Sequence, residues 1–125
     1  MSGMRFTEDH EWLLVEEDGT ITIGITDYAQ DQLGDVVYVD MPEVGLEISA
    51  GDEVAVVESV KAAGDIKVPL SGTVSEINDL LADEPEKVNT DPMGEGWFFK
   101  ITPSDLEELD ALMDEDAYWE YVSGL

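Results

Sequence analysis

The strongest constraint on the fold of this chain is a series of short β-prone runs at close spacing, each bounded by turn residues. The clearest pair is 11–15 and 20–25, which Asp18-Gly19 joins, a dipeptide typical of tight hairpin turns. Such a series predicts a small β-sandwich or flattened barrel. The other predicted strands span 35–40, 53–58, 66–70, 73–77 and 96–101.

Three short helices are predicted beside these strands, the last of them in a C-terminal helical segment. Gly34 ends the first helix, and Ser104 heads the second in a capping box with Glu107. A chain of 125 residues supports one modest core, so we expect a single mostly β domain over 1–125. The predicted helices span 28–33, a segment from Pro103 and Ser104 through Met113, and 114–122.

The charge of the chain is extreme, since 31 acidic side chains face only five basic ones and the formal net charge is −26. Nucleic acids and anionic membranes repel such a surface, so both are excluded as partners. Self-repulsion is relieved by screening at high salt, which predicts a halophilic source with a salty cytoplasm. An acidic carrier that docks onto basic enzyme surfaces is the alternative. The repulsion also favours a monomer.

The chain contains no cysteine, which excludes disulfides, thiolate metal sites and a cysteine nucleophile. Its single histidine, His10, is interpreted as a structural or surface residue, and no Ser-His-Asp pattern is present. We therefore expect no catalytic residue and no metal site. Because residues 1–5 have no signal-like apolar stretch, a cytoplasmic location is the expectation.

Lys61 stands out among the few basic residues because it lies between two β-prone runs, 54–57 and 66–68. This position predicts an exposed lysine at the tip of a hairpin, where an enzyme can acylate the amine. A purely solubilising charge is the simpler interpretation of such a lysine. Lys67 lies within a strand and is interpreted as an ordinary charge.

The residues around Lys61 decide between these interpretations. They are Gly51-Asp52, Val56-Val57-Glu58-Ser59-Val60-Lys61-Ala62 and Pro69-Leu70-Ser71-Gly72. This segment resembles the lipoyl-attachment segment of the glycine cleavage system H protein family. The resemblance continues over almost the whole chain, at His10-Glu11-Trp12, Gly24-Ile25-Thr26, Ala29-Gln30, Leu33-Gly34-Asp35, Met41-Pro42-Glu43, Gly45, Val88-Asn89 and Gly96-Trp97.

The resemblance implies a lipoyl/biotinyl-type flattened β-barrel sandwich with the hybrid motif, and lipoate bound covalently to Lys61. It implies a non-catalytic carrier of glycine catabolism and one-carbon metabolism, which shuttles an aminomethyl group between enzymes. The implied partners are glycine decarboxylase with pyridoxal phosphate, a tetrahydrofolate-dependent aminomethyltransferase, dihydrolipoamide dehydrogenase with FAD and NAD, and a lipoate-attaching enzyme.

The resemblance also implies a cleft into which the loaded arm folds back. Matched position by position, Glu11 and Asp65 are the main candidates for this docking cleft, with Asp9 and Gln32 beside them. Some relatives have serine at the position of Asp9 and histidine at that of Gln32. In a chain this acidic, the simpler interpretation of each carboxylate is a solvated charge.

Other functions remain open from the sequence. An H-like relay protein that passes lipoyl groups to other acceptors would keep the same fold. A lipoyl domain of a 2-oxo acid dehydrogenase complex usually shows Asp-Lys-Ala, and here Val60 precedes the lysine. A biotinyl carrier normally has methionines beside its lysine. A hydrolase has little support without a nucleophile and base.

Overall fold

A computed structural model describes residues 4–124 of the chain. Residues 1–3 and 125 of the predicted single domain lie outside the described part, as does the side chain of Leu106. No helix within 4–124 has the length and the apolar composition needed to cross a membrane.

The described part of the chain is mostly β-structure, as predicted, with short helices between and after the strands. The strands are β1 (Met4–Phe6), β2 (Glu11–Val15), β3 (Ile21–Ile25), β4 (Val36–Asp40), β5 (Glu47–Ile48), β6 (Asp52–Ser59), β7 (Ala63–Val68), β8 (Gly72–Ile77) and β9 (Phe99–Pro103). The helices are α1 (Asp27–Leu33), α2 (Leu80–Asp83), α3 (Lys87–Thr90), a 3-10 helix (Leu106–Ala111) and α4 (Glu115–Ser123).

The strands form two antiparallel sheets. One sheet has the order β1-β2-β3-β9-β8-β5, and the other has the order β4-β6-β7. The predicted hairpin around Asp18-Gly19 is confirmed, since β2 pairs with β3 in the register Glu11↔Ile25 to Val15↔Ile21. β6 pairs with β7 from Asp52↔Val68 to Glu58↔Ala63, so Lys61 lies in the turn at the tip of this second hairpin.

The apolar core lies between the two sheets, where alternate residues of β3, β6, β7 and β9 are apolar and buried. Burial of such side chains contributes about 25 cal/mol per Å² of apolar surface, which offsets the loss of chain entropy. Trp12 belongs to a second cluster, in which Phe6 and Tyr118 are buried. The main cluster includes Leu13, Ile21, Ile23, Val57, Ile66, Val68, Leu70, Val74, Phe98, Phe99 and Ile101.

Several predicted boundaries were wrong near the C-terminus. The last strand begins at Phe99 and not at 96, because the backbone amides of Gly96 and Trp97 bond within a turn. The helix predicted from Ser104 is a 3-10 helix whose first turn is capped by Asp105. Ser104 does not serve as the cap, and its backbone amide donates to the Ser71 carbonyl instead.

Other differences come from pairing that local patterns do not reveal. β1 was not predicted, and it forms because its three residues pair with β2. β5 has only two residues and is held by β8. The predicted helices over 28–33 and 114–122 are confirmed as α1 and α4, with Thr26 and Asp114 as their caps.

Candidate functional site

The turn that carries Lys61 is held by the side chain of Ser59. The Ser59 hydroxyl accepts from the backbone amides of Lys61, at 3.2 Å, and Ala62, at 3.0 Å. The Ser59 amide donates to the Ala62 carbonyl at 2.8 Å, which closes the hairpin. Lys61 itself is exposed and forms no salt bridge with the described residues. The turn therefore presents a free amine on a fixed base.

A second layer of contacts fixes the position of this turn against α1. The Val60 amide donates to the Asp35 carbonyl at 3.0 Å. The aliphatic part of the Lys61 side chain crosses Gly34, where an added Cβ would lie 2.7 Å from Lys61 Cε. Asn89 holds the same segment, since its amide nitrogen donates to the Gly34 carbonyl at 2.8 Å. Gly34 thus leaves room for the lysine stem.

A cleft of about 150 Å³ lies beside this hairpin, between the two sheets and α1. Asp65 follows Lys61 by four positions, so their Cα atoms are at most roughly 13 Å apart, the length of four residues of extended strand. A lysine extended by a lipoyl group has a reach of roughly 15 Å from its Cα at standard bond lengths. An arm attached at Lys61 therefore reaches this cleft. Its walls are Asp9, Glu11, Ile25, Ala29, Leu33, Val57, Gly64, Asp65 and Ile66.

Glu11 is the buried carboxylate of this cleft, with 3% of its surface exposed. One carboxylate oxygen accepts from the Lys67 backbone amide at 3.0 Å, and the other accepts from the Thr7 hydroxyl at 3.2 Å. The first of these bonds joins β2 of one sheet to β7 of the other. Burial penalises the charged form and raises the pKa of Glu11 from 4.5 to about 7, although both hydrogen bonds oppose the shift.

The structure brings together three of the four residues that were predicted to form the docking cleft. Asp9, Glu11 and Asp65 line it, and the first and last of these are exposed to solvent. Gln32 lies exposed on α1 and is not among the described residues that line the cleft. A role for Gln32 stays a prediction without support from this placement.

Sequence reasoning missed the apolar walls of the cleft and the residues that hold Glu11. Thr7 could have been suspected because it lies four residues before Glu11, and its hydroxyl also accepts from the Glu11 amide at 3.1 Å. Nothing local marks Leu33 or Val57 as cleft residues, since both look like ordinary core positions. Only the packing of α1 against β6 and β7 places them there.

We expect Glu11→Gln to remove a pH dependence from the stability of the protein. The folded state binds the Glu11 proton more tightly than the unfolded chain does, since burial raises the pKa of Glu11 to about 7. The contribution of this group to the free energy of unfolding is therefore fully present below about pH 4.5 and is lost as the pH rises to about 7. Glutamine mimics the protonated carboxyl and should be the more stable form at pH 8, by about 3 kcal/mol.

Urea denaturation of both proteins at fixed ionic strength, at pH 5 and pH 8, measures this difference. Glu17→Gln is the control because Glu17 is exposed in the β2–β3 turn, so its substitution removes one charge without a burial effect. An equal gain in both variants at pH 8 would show that only the net charge matters.

Comparison with known proteins identifies relatives of this chain by sequence. A family profile described as "Glycine cleavage H-protein" matches residues 4–124. The chain is 58% identical to the glycine cleavage system H protein of Rhodospirillum rubrum over 125 residues, covering 100% of this chain and 99% of the relative. It is 52% identical to that of Halorhodospira halophila over 120 residues, covering 96% and 92%.

The fold has a close counterpart among solved structures. A crystal structure of a glycine cleavage system H protein from Mycobacterium marinum superposes with a TM-score of 0.87 at 35% identity. The match covers 100% of this chain and 99% of that one. The predicted mostly β architecture with a C-terminal helix is therefore confirmed.

Proposed function

The chain belongs to the glycine cleavage H-protein family, and from this premise we propose that Lys61 is the residue that carries its lipoyl group. The protein is the lipoyl carrier of the glycine cleavage system, and it moves an aminomethyl group between the enzymes of that system. When bound, the lipoyl group supplies a reducible disulfide at the end of a long arm.

The observation that carries the assignment to Lys61 is its place at the tip of the β6–β7 hairpin. The base of the arm has to be rigid and the amine accessible, which the Ser59 bonds and the exposure of Lys61 provide. Gly34 leaves space for the stem of the lysine. Lys67, the other lysine of this hairpin, lies within β7 and lacks such a turn.

The cleft fits the cargo end of the arm. A protonated amine favours the carboxylates of Asp9, Glu11 and Asp65, which line this space together with apolar side chains. Glu11 titrates near neutral pH when the cleft holds no cation, because burial raises its pKa to about 7. A cation beside it stabilises the ionised form, so its proton leaves when the cargo enters. The apolar walls limit the access of water.

Glycine decarboxylase and the aminomethyltransferase are the partners that act on the cargo. We further propose dihydrolipoamide dehydrogenase and a lipoate-attaching enzyme as partners, and a non-catalytic, monomeric, single-domain protein in the cytoplasm. A tether raises the effective concentration of the arm end at each docked active site, which is why the carrier needs no catalytic group. Relay of lipoyl groups to other acceptors remains a second proposed role, which uses the same lysine.

We also propose that the acidic surface is an adaptation to a salty cytoplasm. Only two salt bridges, Lys87–Glu95 at 3.6 Å and Lys100–Glu76 at 3.9 Å, form among the described residues, although 31 acidic side chains are present. Most of these carboxylates depend on solvent ions for compensation. We expect the midpoint of thermal unfolding to keep rising with KCl concentration beyond the range needed to screen the charges. Such a rise would support a halophilic source.

The proposal for Lys61 is tested by mass spectrometry of a tryptic digest of protein purified from its native host. A lipoyl group removes the charge that trypsin requires, so residues 6–67 should appear as one peptide, heavier by one lipoyl group. Cleavage after Lys61 in the same digest, with other lipoyl proteins of the cell modified, would overturn the assignment.

A further inference from the structure

One hydroxyl group outside the cleft joins two elements that build it. Tyr118 of α4 is fully buried, and its ring stacks on Phe6 with 4.5 Å between centroids. Its hydroxyl lies 2.9 Å from His10 Nδ1 and 2.7 Å from Thr26 Oγ1. Because a phenol both donates and accepts, the Tyr118 hydroxyl can form both bonds at once.

Both partners of this hydroxyl are neighbours of cleft residues. His10 lies between Asp9 and Glu11 in the sequence, and its carbonyl accepts from the Thr26 amide at 2.9 Å. Thr26 is the N-cap of α1, where its hydroxyl accepts from the amide of Ala29, a wall residue, at 3.3 Å. The Tyr118 hydroxyl therefore links the acidic wall of the cleft, which contains Asp9 and Glu11, to its helical wall, which contains Ala29 of α1.

The backbone of His10 needs such support. Its φ of 69° lies in the left-handed region, and it is the one residue other than glycine with positive φ between 4 and 124. Non-glycine residues remain in this conformation only when tertiary contacts hold them. The His10 ring packs against Tyr28, at 4.4 Å between centroids, and Tyr121, at 5.9 Å, in addition to its bond with Tyr118.

We propose that Tyr118 is a positioning residue for the docking cleft: its hydroxyl, held between His10 and Thr26, sets the distance between the acidic wall and α1. The C-terminal helix would then control how well the cleft shields a cationic cargo from water, although Tyr118 does not line the cleft. The predicted effect on the cargo rests on the proposed carrier function. The predicted effect on the position of α1 does not depend on that function.

The structural part is tested in unlipoylated protein by amide hydrogen exchange of Tyr118→Phe, which removes only the hydroxyl. We expect faster exchange at Ala29, whose amide bonds to Thr26, and unchanged exchange in the β8–β9 pair. Tyr121→Phe is the matched control. It removes a phenol hydroxyl from the same helix, but not one that bonds to His10 and Thr26 as the Tyr118 hydroxyl does. Exchange at Ala29 that equals the wild-type rate would overturn the proposal.

The functional part is tested on lipoylated protein that glycine decarboxylase has loaded, by the rate of ammonia release without aminomethyltransferase. We expect Tyr118→Phe to release ammonia roughly threefold faster or more, given the usual contribution of one buried hydrogen bond. Tyr121→Phe should match the wild type. The rate of lipoylation of Lys61 should be equal in all three proteins, because the Ser59 turn is independent of α4.

A second variant keeps the proposal testable if Tyr118→Phe does not fold. His10→Asn keeps a side chain that tolerates positive φ but shortens the reach to Tyr118. It should release ammonia faster than the wild type, while Tyr121→Phe matches the wild type. A wild-type rate in His10→Asn, or an equal increase in Tyr121→Phe, would overturn the proposal. Failure of the wild-type protein to accept a lipoyl group would overturn the carrier function itself, without changing the exchange result.

Discussion

Lys61→Arg is expected to abolish lipoylation and all carrier activity while leaving the fold intact. Arginine keeps the positive charge and most of the stem, but its guanidinium is too weakly nucleophilic at neutral pH to form the amide bond. The side chain is exposed and forms no salt bridge with the described residues, so stability should change by less than about 0.5 kcal/mol. Intact-mass spectrometry and glycine-dependent CO₂ exchange with the partner enzymes measure the two losses.

Lys67→Arg is the matched control for this experiment. Lys67 belongs to the same hairpin and is also exposed, and its backbone amide donates to Glu11. Arginine preserves that amide, so lipoylation and exchange activity should equal those of the wild type. Unfolding of Lys61→Arg would assign the lysine a structural role, and residual lipoylation of Lys61→Arg would show attachment at another lysine.

Gly34→Ala is expected to destabilise the protein by about 2 kcal/mol and to slow lipoylation of Lys61. Gly34 has φ 85° and ψ −165°, a conformation that is essentially restricted to glycine. The new methyl group would lie 2.7 Å from Lys61 Cε, so the lysine stem has to leave its path. Relaxation of this residue also moves Asp35, whose carbonyl holds the Val60 amide.

Gly19→Ala separates the two effects of that substitution. Gly19 has φ 89° in the turn between β2 and β3, and an added Cβ there would meet no atom within 4 Å. The Gly19→Ala variant should therefore lose stability through backbone strain, while its rate of lipoylation stays that of the wild type. Urea denaturation and the initial rate of lipoylation by a lipoate-attaching enzyme measure both quantities. Equal slowing in the two variants would show that strain alone, and not the position of the lysine stem, limits attachment.

Local sequence was enough to predict the elements whose signals are local. Asp18-Gly19 predicts its hairpin because few dipeptides satisfy such a tight turn, and Gly34 marks the end of α1 through its capping geometry. The position of Lys61 in a turn followed from the β-prone runs on either side. The same local reasoning failed at Ser104, since its backbone amide donates to the carbonyl of Ser71, a residue far away in the sequence.

The sequence by itself determined the mostly β fold class, the hairpin with its exposed lysine and, through motifs spread over the chain, the family. These depend on side-chain periodicity and turn chemistry, which act over a few residues. Only the tertiary structure decided that Glu11 is buried against Lys67 and Thr7, and that Gln32 is not among the described residues that line the cleft. It also decided that Tyr118 reaches His10 across 108 positions of the sequence. Burial and long-range hydrogen bonds depend on how two sheets and α4 pack, and no local pattern encodes that packing.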